Sequence, residues 1–137
     1  MKILLAASAL AVLLSGCAIN VPAYTPRYET LDQLKKAPLD KIALGDFQPN
    51  DSGASVNGIT LRGSPLVAAG GSYAEYLETA LRSDLQEMGF YDPASPLRLD
   101  ATLLKNDIDV SGLSTGTGEI EARLSVGRQA PGLLDKT

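Results

Sequence analysis

The clearest hydrophobic pattern in the chain is a stripe at helical spacing between residues 73 and 88. Ser72 and Glu75 match the Ser-x-x-Glu capping box that opens helices, and Gly89 is typical of the residue after a helix end. The apolar positions recur every three or four residues, with most charged side chains off the stripe: Tyr73, Tyr76, Leu77, Ala80, Leu81, Leu85 and Met88. The pattern predicts one amphipathic helix.

Two later segments alternate apolar and polar residues with the period of two expected of strands that bury one face. In the first segment the alternation slips near Leu104 and resumes at Ile108, which predicts a β-bulge. A turn over residues 114–118 separates the two segments. The predicted inward positions are Leu97, Leu99, Ala101 and Leu103, then Ile120, Ala122, Leu124 and Val126. The pattern predicts an antiparallel hairpin packed on the helix.

The region before the helix carries weaker signals. An apolar run at 41–47 predicts the first strand, and capping-box spacing from Thr30 to Gln33 predicts a short helical turn. Segment 48–71 reads as a long loop, although Asn57-Gly58 and the alternation at 59–62 suggest a small hairpin strand. The order strand, helix, strand, strand predicts an α+β fold, a small antiparallel sheet packed on one amphipathic helix.

The N-terminus has the layout of an export signal. Lys2 precedes an apolar run at 3–14 of about a dozen residues, whereas a membrane-spanning helix needs about 20. A buried N-terminal helix is the alternative, and it explains neither the basic start nor the small residues before Cys17. The pattern predicts a signal peptide over residues 1–16.

The four residues Leu14-Ser15-Gly16-Cys17 resemble the lipobox of bacterial lipoproteins. The resemblance implies cleavage before Cys17, which would carry acyl groups such as palmitate on its sulfur and amine. In Gram-negative lipoproteins an Asp after the cysteine favours the inner membrane. Ala18 stands there instead, so the expected location is the outer membrane, facing the periplasm.

The expected domain organisation has three parts. Residues 1–16 are the signal peptide, residues 17–38 are the lipidated Cys17 with a flexible tether containing Pro22 and Pro26, and residues 39–137 are a small α+β periplasmic domain. Residues 129–132 interrupt the strand pattern, and 133–137 read as the start of another strand. We therefore expect a C-terminally shortened or frame-disturbed version of a longer protein, or a sheet with an unprotected edge.

The composition of the chain mainly excludes classes of function. The 137 residues carry a net charge of -4, with one Cys and no His, which indicates one small domain. Only Lys35 and Lys36 adjoin, so the cation cluster that nucleic-acid binding requires is missing from the sequence. With its only Cys assigned to the anchor, the chain lacks the usual nucleophile-base pairs and the commonest zinc ligand sets. We expect no catalytic, cofactor or metal site.

Carboxylates are the remaining candidates for acid-base chemistry. Asp46, Asp100, Asp107 and Asp109 could approach one another across a sheet, although solvation on the polar face is the more ordinary explanation. A cation site built on Asp51, with Asn50 and Ser52, lacks the spacing of a calcium loop.

Three further features each have an ordinary structural explanation. Gly70-Gly71-Ser72 could hold an anion, but the start of a helix explains these residues. Tyr73 and Tyr76 are expected to pack their rings in the core with their hydroxyls reaching water, or else to form a partner surface. Residues 112–118 lack GxGxxG order, so they predict a turn rather than a dinucleotide site.

Residues 63–65, 71–77 and 114–123 resemble an uncharacterised family of proteobacterial outer-membrane lipoproteins, loosely YajG-like. These motifs identify relatives and carry no chemistry. The resemblance implies that relatives continue beyond residue 137 into another strand and helix.

The leading functional hypothesis is a membrane-anchored, non-enzymatic binding or assembly module. Its exposed sheet edge, or segment 48–71, would engage an envelope protein. The alternative is a periplasmic carrier that accepts a lipid or another apolar ligand between the helix and the sheet. An envelope hydrolase using Asp46 or Asp107 is the third possibility, and no substrate suggests itself.

Overall fold

The computed structural model of the protein describes residues 17–50, 54–112 and 115–128. The predicted signal peptide and the predicted strand start at 133–137 lie outside the described residues. The strands are β1 (Ile19–Asn20), β2 (Ala43–Pro49), β3 (Thr60–Leu61), β4 (Ser64–Val67), β5 (Leu97–Asp109) and β6 (Thr117–Arg128). The helices are α1 (Tyr28–Leu34), α2 (Ala54–Asn57) and α3 (Tyr73–Met88).

The described strands form two three-stranded sheets, ordered β1-β4-β3 and β2-β5-β6, and the predicted α+β class is confirmed. The predicted antiparallel sheet is wrong for β2, which pairs with β5 in parallel, while β5 and β6 are antiparallel. Parallel neighbours need a crossover connection, and α3 lies between β2 and β5 in the chain to provide it. The register shift between Leu103 and Lys105 confirms the predicted bulge near Leu104.

Helix α3 follows the predicted capping pattern closely. The Ser72 Oγ accepts a hydrogen bond from the Glu75 amide at 3.1 Å, and the Asn57 Oδ1 accepts one from the Tyr73 amide at 2.8 Å. Ala74 and Ala80 are buried where α3 packs against β2 and β5. Two side chains therefore satisfy amides that the first turn of a helix leaves unpaired.

The N-terminal segment is docked on the body, so the predicted flexible tether is wrong over its described part. Ile19 pairs with Leu66 in the parallel β1–β4 ladder, and Leu31 of α1 is only 3% exposed. Extended backbone leaves its amides and carbonyls free, and an unprotected edge of β4 accepts them. The predicted capping box at Thr30 is also wrong, because α1 begins earlier, with Arg27 at its N-cap.

Much of segment 48–71 is ordered rather than a long loop. The suggested hairpin strand is confirmed, because β3 pairs antiparallel with β4. Its turn lies at Arg62 and Gly63, whose φ angles are 51° and 82°, and not at Asn57-Gly58. Positive φ at both central residues is typical of tight hairpin turns. Val56 and Ile59 are 2% and 8% exposed, so the segment contributes to the core.

Gly89, the residue that follows α3, adopts a backbone conformation that favours glycine. Its φ of 79° places it in the left-handed region at the helix C-cap. Gly89→Ala is expected to lower the free energy of unfolding by about 1–2 kcal/mol, because a Cβ is strained in that conformation. Urea unfolding followed by circular dichroism measures the loss. Gly127→Ala is the control: a Cβ meets nothing within 4 Å at either position, but of the two only Gly89 has a left-handed φ. Equal losses in the two variants would contradict the assignment.

Candidate interaction surface

The most unusual surface of the described chain is strand β6. All twelve of its residues are exposed, including Ile120 at 70%, Leu124 at 58% and Val126 at 62%. These three side chains, with the small Ala122, alternate along one face of the strand, and we call them the β6 apolar strip. An apolar row at this level of exposure is a feature of interaction surfaces.

The strip continues a buried row on the neighbouring strand. Leu99 pairs with Val126, Ala101 with Leu124, and Leu103 with Ala122. The β5 members of these pairs are 8%, 3% and 2% exposed. A helix is about 10 Å wide and strands are about 4.8 Å apart, so one helix covers about two strands. The prediction that the hairpin packs on the helix is therefore confirmed for β5 and wrong for β6.

The free edge of β6 adds a second feature to the same strand. β6 is the last strand in the order β2-β5-β6, so among the described residues its outer edge has no strand beside it. Edges are normally protected by short length, charged side chains (especially Lys), Pro or a bulge. β6 is twelve residues long and contains neither Lys nor Pro; its charged residues are Glu119, Glu121, Arg123 and Arg128. Its backbone is therefore open to pairing with an added strand.

An apolar groove adjoins the strip. It has a volume of about 610 Å³ and lies between α3, β5 and the N-terminal segment. Its lining includes Val21, Leu66, Leu77, Leu103 and Ile108, and it reaches Ile120 of the strip. Its volume falls in the range of about 300–1,000 Å³ that is typical of ligand pockets. The groove and the strip form one continuous apolar surface.

Tyrosine hydroxyls fasten the N-terminal segment beside this groove. The Tyr24 hydroxyl donates to the carboxylate of Asp84 at 2.8–2.9 Å, and the Tyr76 hydroxyl donates to the Pro22 carbonyl at 3.1 Å. Tyr73 donates to the Leu66 carbonyl at 3.2 Å. Both hydroxyls that the sequence predicted to reach water donate to backbone carbonyls; the Tyr76 bond is exposed to solvent and the Tyr73 bond is partly buried.

The protonation of these tyrosines suits a structural role. Burial raises the pKa of Tyr24, and the Asp84 carboxylate raises it further. Burial also raises the pKa of Tyr73. Both hydroxyls stay protonated at neutral pH, so they serve as hydrogen-bond donors rather than bases.

Two of the four candidate carboxylates do come together, on the sheet face away from α3. Arg98 contacts Asp46 at 3.0 Å and Asp100 at 3.0 Å, and the Asp46 amide donates to Asp100 at 2.7 Å. The Asp46 amide and the Arg98 guanidinium lower the pKa of Asp100. An ionised carboxylate paired with a guanidinium cannot act as a general acid at neutral pH. We therefore interpret Asp46, Arg98 and Asp100 as a structural ionic cluster rather than an acid-base site.

The other two carboxylates lie further along β5. The Ser111 amide donates to Asp109 at 2.8 Å and lowers the pKa of that carboxyl. Asp107 is exposed. Across residues 17–50, 54–112 and 115–128, no group of three or more His, Cys, Asp or Glu side chains could hold a metal ion.

The depressed pKa of Asp100 has a consequence for stability. A carboxyl whose pKa is lower in the folded state stabilises the fold above its ordinary pKa of 3.8 and loses this contribution as the pH falls through the folded value. In Asp100→Asn, we expect a smaller loss of stability on acidification below about pH 4. Arg98→Ala keeps the Asp46 amide and should give an intermediate profile. Urea unfolding at several pH values measures these profiles. Identical profiles for the unsubstituted chain and the two variants would contradict the ionic contact of Asp100.

The other candidate features from the sequence are Cys17, the Asp51 cation site, segment 112–118 and the Gly70-Gly71-Ser72 run. Cys17 is an exposed free thiol just before β1. Asp51 and Ser52 lie outside the described residues, as do two of the residues in segment 112–118. At Gly70-Gly71-Ser72 the serine caps α3, so the start of a helix explains these residues, as predicted.

Among the helices that the structure describes, none combines the length and the apolar character needed to cross a membrane.

Two structural residues escaped the sequence analysis. Asn106 is 7% exposed, and its Nδ2 donates to the Val56 carbonyl at 3.0 Å. After the bulge, the alternation of β5 places Asn106 on the inward face with Ile108. The sequence pattern could therefore have predicted that Asn106 is buried. A Cβ on Gly45 would clash with the Asp100 Oδ1, so glycine leaves room for the ionic cluster. No local pattern signals that requirement.

The comparisons with known proteins leave the family open. The resemblance to YajG-like lipoproteins stays a prediction from the motifs. Comparison with protein-family models, curated proteins and solved structures found no match.

Proposed function

We propose that the chain is a bacterial lipoprotein, anchored through Cys17 to the outer membrane and facing the periplasm. We propose further that it works there as a non-enzymatic binding or assembly module for an envelope protein. The export pattern and the Leu-Ser-Gly-Cys motif support the anchor. One observation carries the binding role: β6 leaves both an apolar strip and a long free edge exposed.

The docked N-terminal segment supports a close anchor. Cys17 lies two residues before β1, which is paired with β4. Two residues of extended chain span at most about 7 Å, so acyl groups on Cys17 would hold the body near the bilayer surface. A module in this position meets partners that lie at the membrane.

The chemistry of the described residues supports a non-enzymatic role. The paired carboxylates Asp46 and Asp100 are balanced by Arg98. The tyrosines beside the groove donate to fixed acceptors. The sequence contains no His to act as a base near neutral pH. These features favour binding over catalysis.

A photo-crosslinking amino acid tests the binding role in cells that produce the full chain. Placed at Leu124 in the β6 apolar strip, it is expected to give a discrete adduct on irradiation, because a partner on the strip or along the β6 edge lies within reach of that side chain. The control position is Gln86, an exposed residue on α3. No adduct at Leu124, or the same adducts at both positions, would refute a binding surface on β6.

The groove supports a second candidate function, the carrier of a lipid or another apolar ligand. Its 610 Å³ and its apolar lining suit part of an acyl chain. Cells fed a photoactivatable fatty acid provide the test. A carrier would show label on peptides covering Tyr73–Ala80 or Leu103–Ile108 in addition to Cys17. Label confined to Cys17 would contradict the carrier and leave the anchor intact.

A further inference from the structure

We infer that the occupant of the β6 edge is a second copy of this chain, paired antiparallel to β6 about a twofold axis at Ala122. This inference rests on the proposed function, since it names the partner of the same surface. The two sheets would join into one, in the order β2-β5-β6, followed by β6, β5 and β2 of the partner subunit. Such an interface is isologous, with each copy offering the same residues.

Side-chain alternation restricts the possible registers. Residues directly opposite each other in an antiparallel pair point to the same face of the sheet. Even-numbered positions of β6 carry the apolar strip, and odd-numbered positions carry the polar residues. A twofold axis between two residues would set apolar side chains opposite polar ones. The axis must therefore pass through a residue.

Charge separates the remaining registers. An axis at Glu121 or at Arg123 places that residue opposite its own copy, and like charges directly opposite are destabilising. An axis at Ile120 sets Glu119 against Glu121, with the same penalty. An axis at Leu124 sets Ile120 against Arg128 and makes no ion pair.

The register centred on Ala122 avoids all of these conflicts. Glu121 lies opposite Arg123 of the partner subunit, and the symmetry repeats this ion pair. On the apolar face, Ile120 lies opposite Leu124 of the partner subunit, also twice, with the two Ala122 residues between them. Residues 117–127 of each copy are then paired, which uses nearly the whole length of β6.

Within the described residues, the charges that this register would pair are not held in close ion pairs, although Lys105 of β5 lies opposite Glu121 in the ladder. Glu119 is already held by Lys105 of β5 at 2.6 Å. Within residues 17–50, 54–112 and 115–128, neither Glu121 nor Arg123 has an ion-pair partner. A second copy supplies the opposite charge to each.

Cysteine substitution tests the axis in cells that produce the full chain. Residues opposite each other in an antiparallel ladder have Cα atoms about 4.5–5.5 Å apart, within disulfide reach. Ala122→Cys is therefore expected to give a covalent dimer, by oxidation or with a short bifunctional thiol reagent. Val126→Cys is the matched control on the same face, since its copies would lie about 27 Å apart. The unsubstituted chain shows any background from Cys17.

Charge reversal tests the register independently. Glu121→Arg alone and Arg123→Glu alone should each lose the dimer, because both cross-strand pairs then carry like charges. Co-expression of the two variants should restore it, since each new pair again sets Arg against Glu. The readout is a cross-link through Ala122→Cys, added to both variants.

The outcomes separate this inference from the proposed function. A dimer with Ala122→Cys, none with Val126→Cys, and rescue by co-expression would support the second copy. Monomer throughout, with a Leu124 photo-adduct to a different protein, would overturn the second copy and leave the binding role standing. Monomer throughout with no Leu124 adduct would overturn both.

Discussion

Leu103→Ala is expected to lower the free energy of unfolding by about 2–5 kcal/mol, the range for a leucine truncated in a packed core. Leu103 is 2% exposed and lies on the inward face of β5, where it also lines the groove. Removing its isobutyl group takes apolar contacts from the centre of the main sheet and leaves a cavity. Urea unfolding of the full chain, followed by circular dichroism, measures the loss.

Leu124→Ala is the matched control, because Leu124 points to the same sheet face one strand away. It is 58% exposed, so its truncation should cost less than about 1 kcal/mol in the monomeric chain. Equal losses at Leu103 and Leu124, measured at concentrations at which the chain is monomeric, would mean that the β6 apolar strip is covered within the monomer. The interaction surface would then not exist.

Asn106→Asp is expected to be strongly destabilising at neutral pH, by about 3–5 kcal/mol, the cost of leaving an uncompensated charge buried. The Asn106 Nδ2 donates to the Val56 carbonyl at 3.0 Å, and a carboxylate would face that oxygen without a proton. Burial favours the neutral acid and so raises the pKa of the new carboxyl.

The pH dependence distinguishes this effect from a packing defect. Because the folded-state pKa is raised, the variant is most stable below the unfolded value of about 3.9 and loses stability as the pH rises through the folded pKa. Asn106→Ala lacks the titrating group and should show a loss with no such dependence. Unfolding curves from pH 3 to 7 compare the two, and parallel profiles would contradict the buried hydrogen bond.

The elements set by local pattern were predictable from the sequence. The α3 limits follow from Ser72, Glu75 and Gly89, whose caps are satisfied within a few residues. The β5 bulge follows from a slip in alternation, which any strand shows when one extra residue enters. The α+β class follows from the order of these elements.

Apart from the misplaced N-cap of α1, the main errors involve contacts between distant parts of the chain. Whether β6 is covered depends on how many strands one helix spans, which alternation within β6 does not reveal. Docking of the N-terminal segment depends on a free edge at β4, more than 40 positions further along the chain. The parallel pairing of β2 required knowing that the crossover passes through α3. Local periodicity contains none of this information.

The candidate site was predictable only in part. The free sheet edge was among the expected features, and the inward positions Ile120, Ala122, Leu124 and Val126 were identified as apolar. Their exposure was not, because alternation predicts a buried face wherever it occurs. The ionic cluster at Arg98 joins residues 54 positions apart and needed the β2–β5 register to be seen.

The proposed anchoring through Cys17 is tested by the intact mass of the chain recovered from fractionated cell envelopes. We expect a chain that begins at Cys17, carries acyl groups and is found in the outer-membrane fraction, with both the acylation and this location lost in Cys17→Ala. An unmodified mass for the wild-type chain, or its recovery in the soluble fraction, would contradict the anchor.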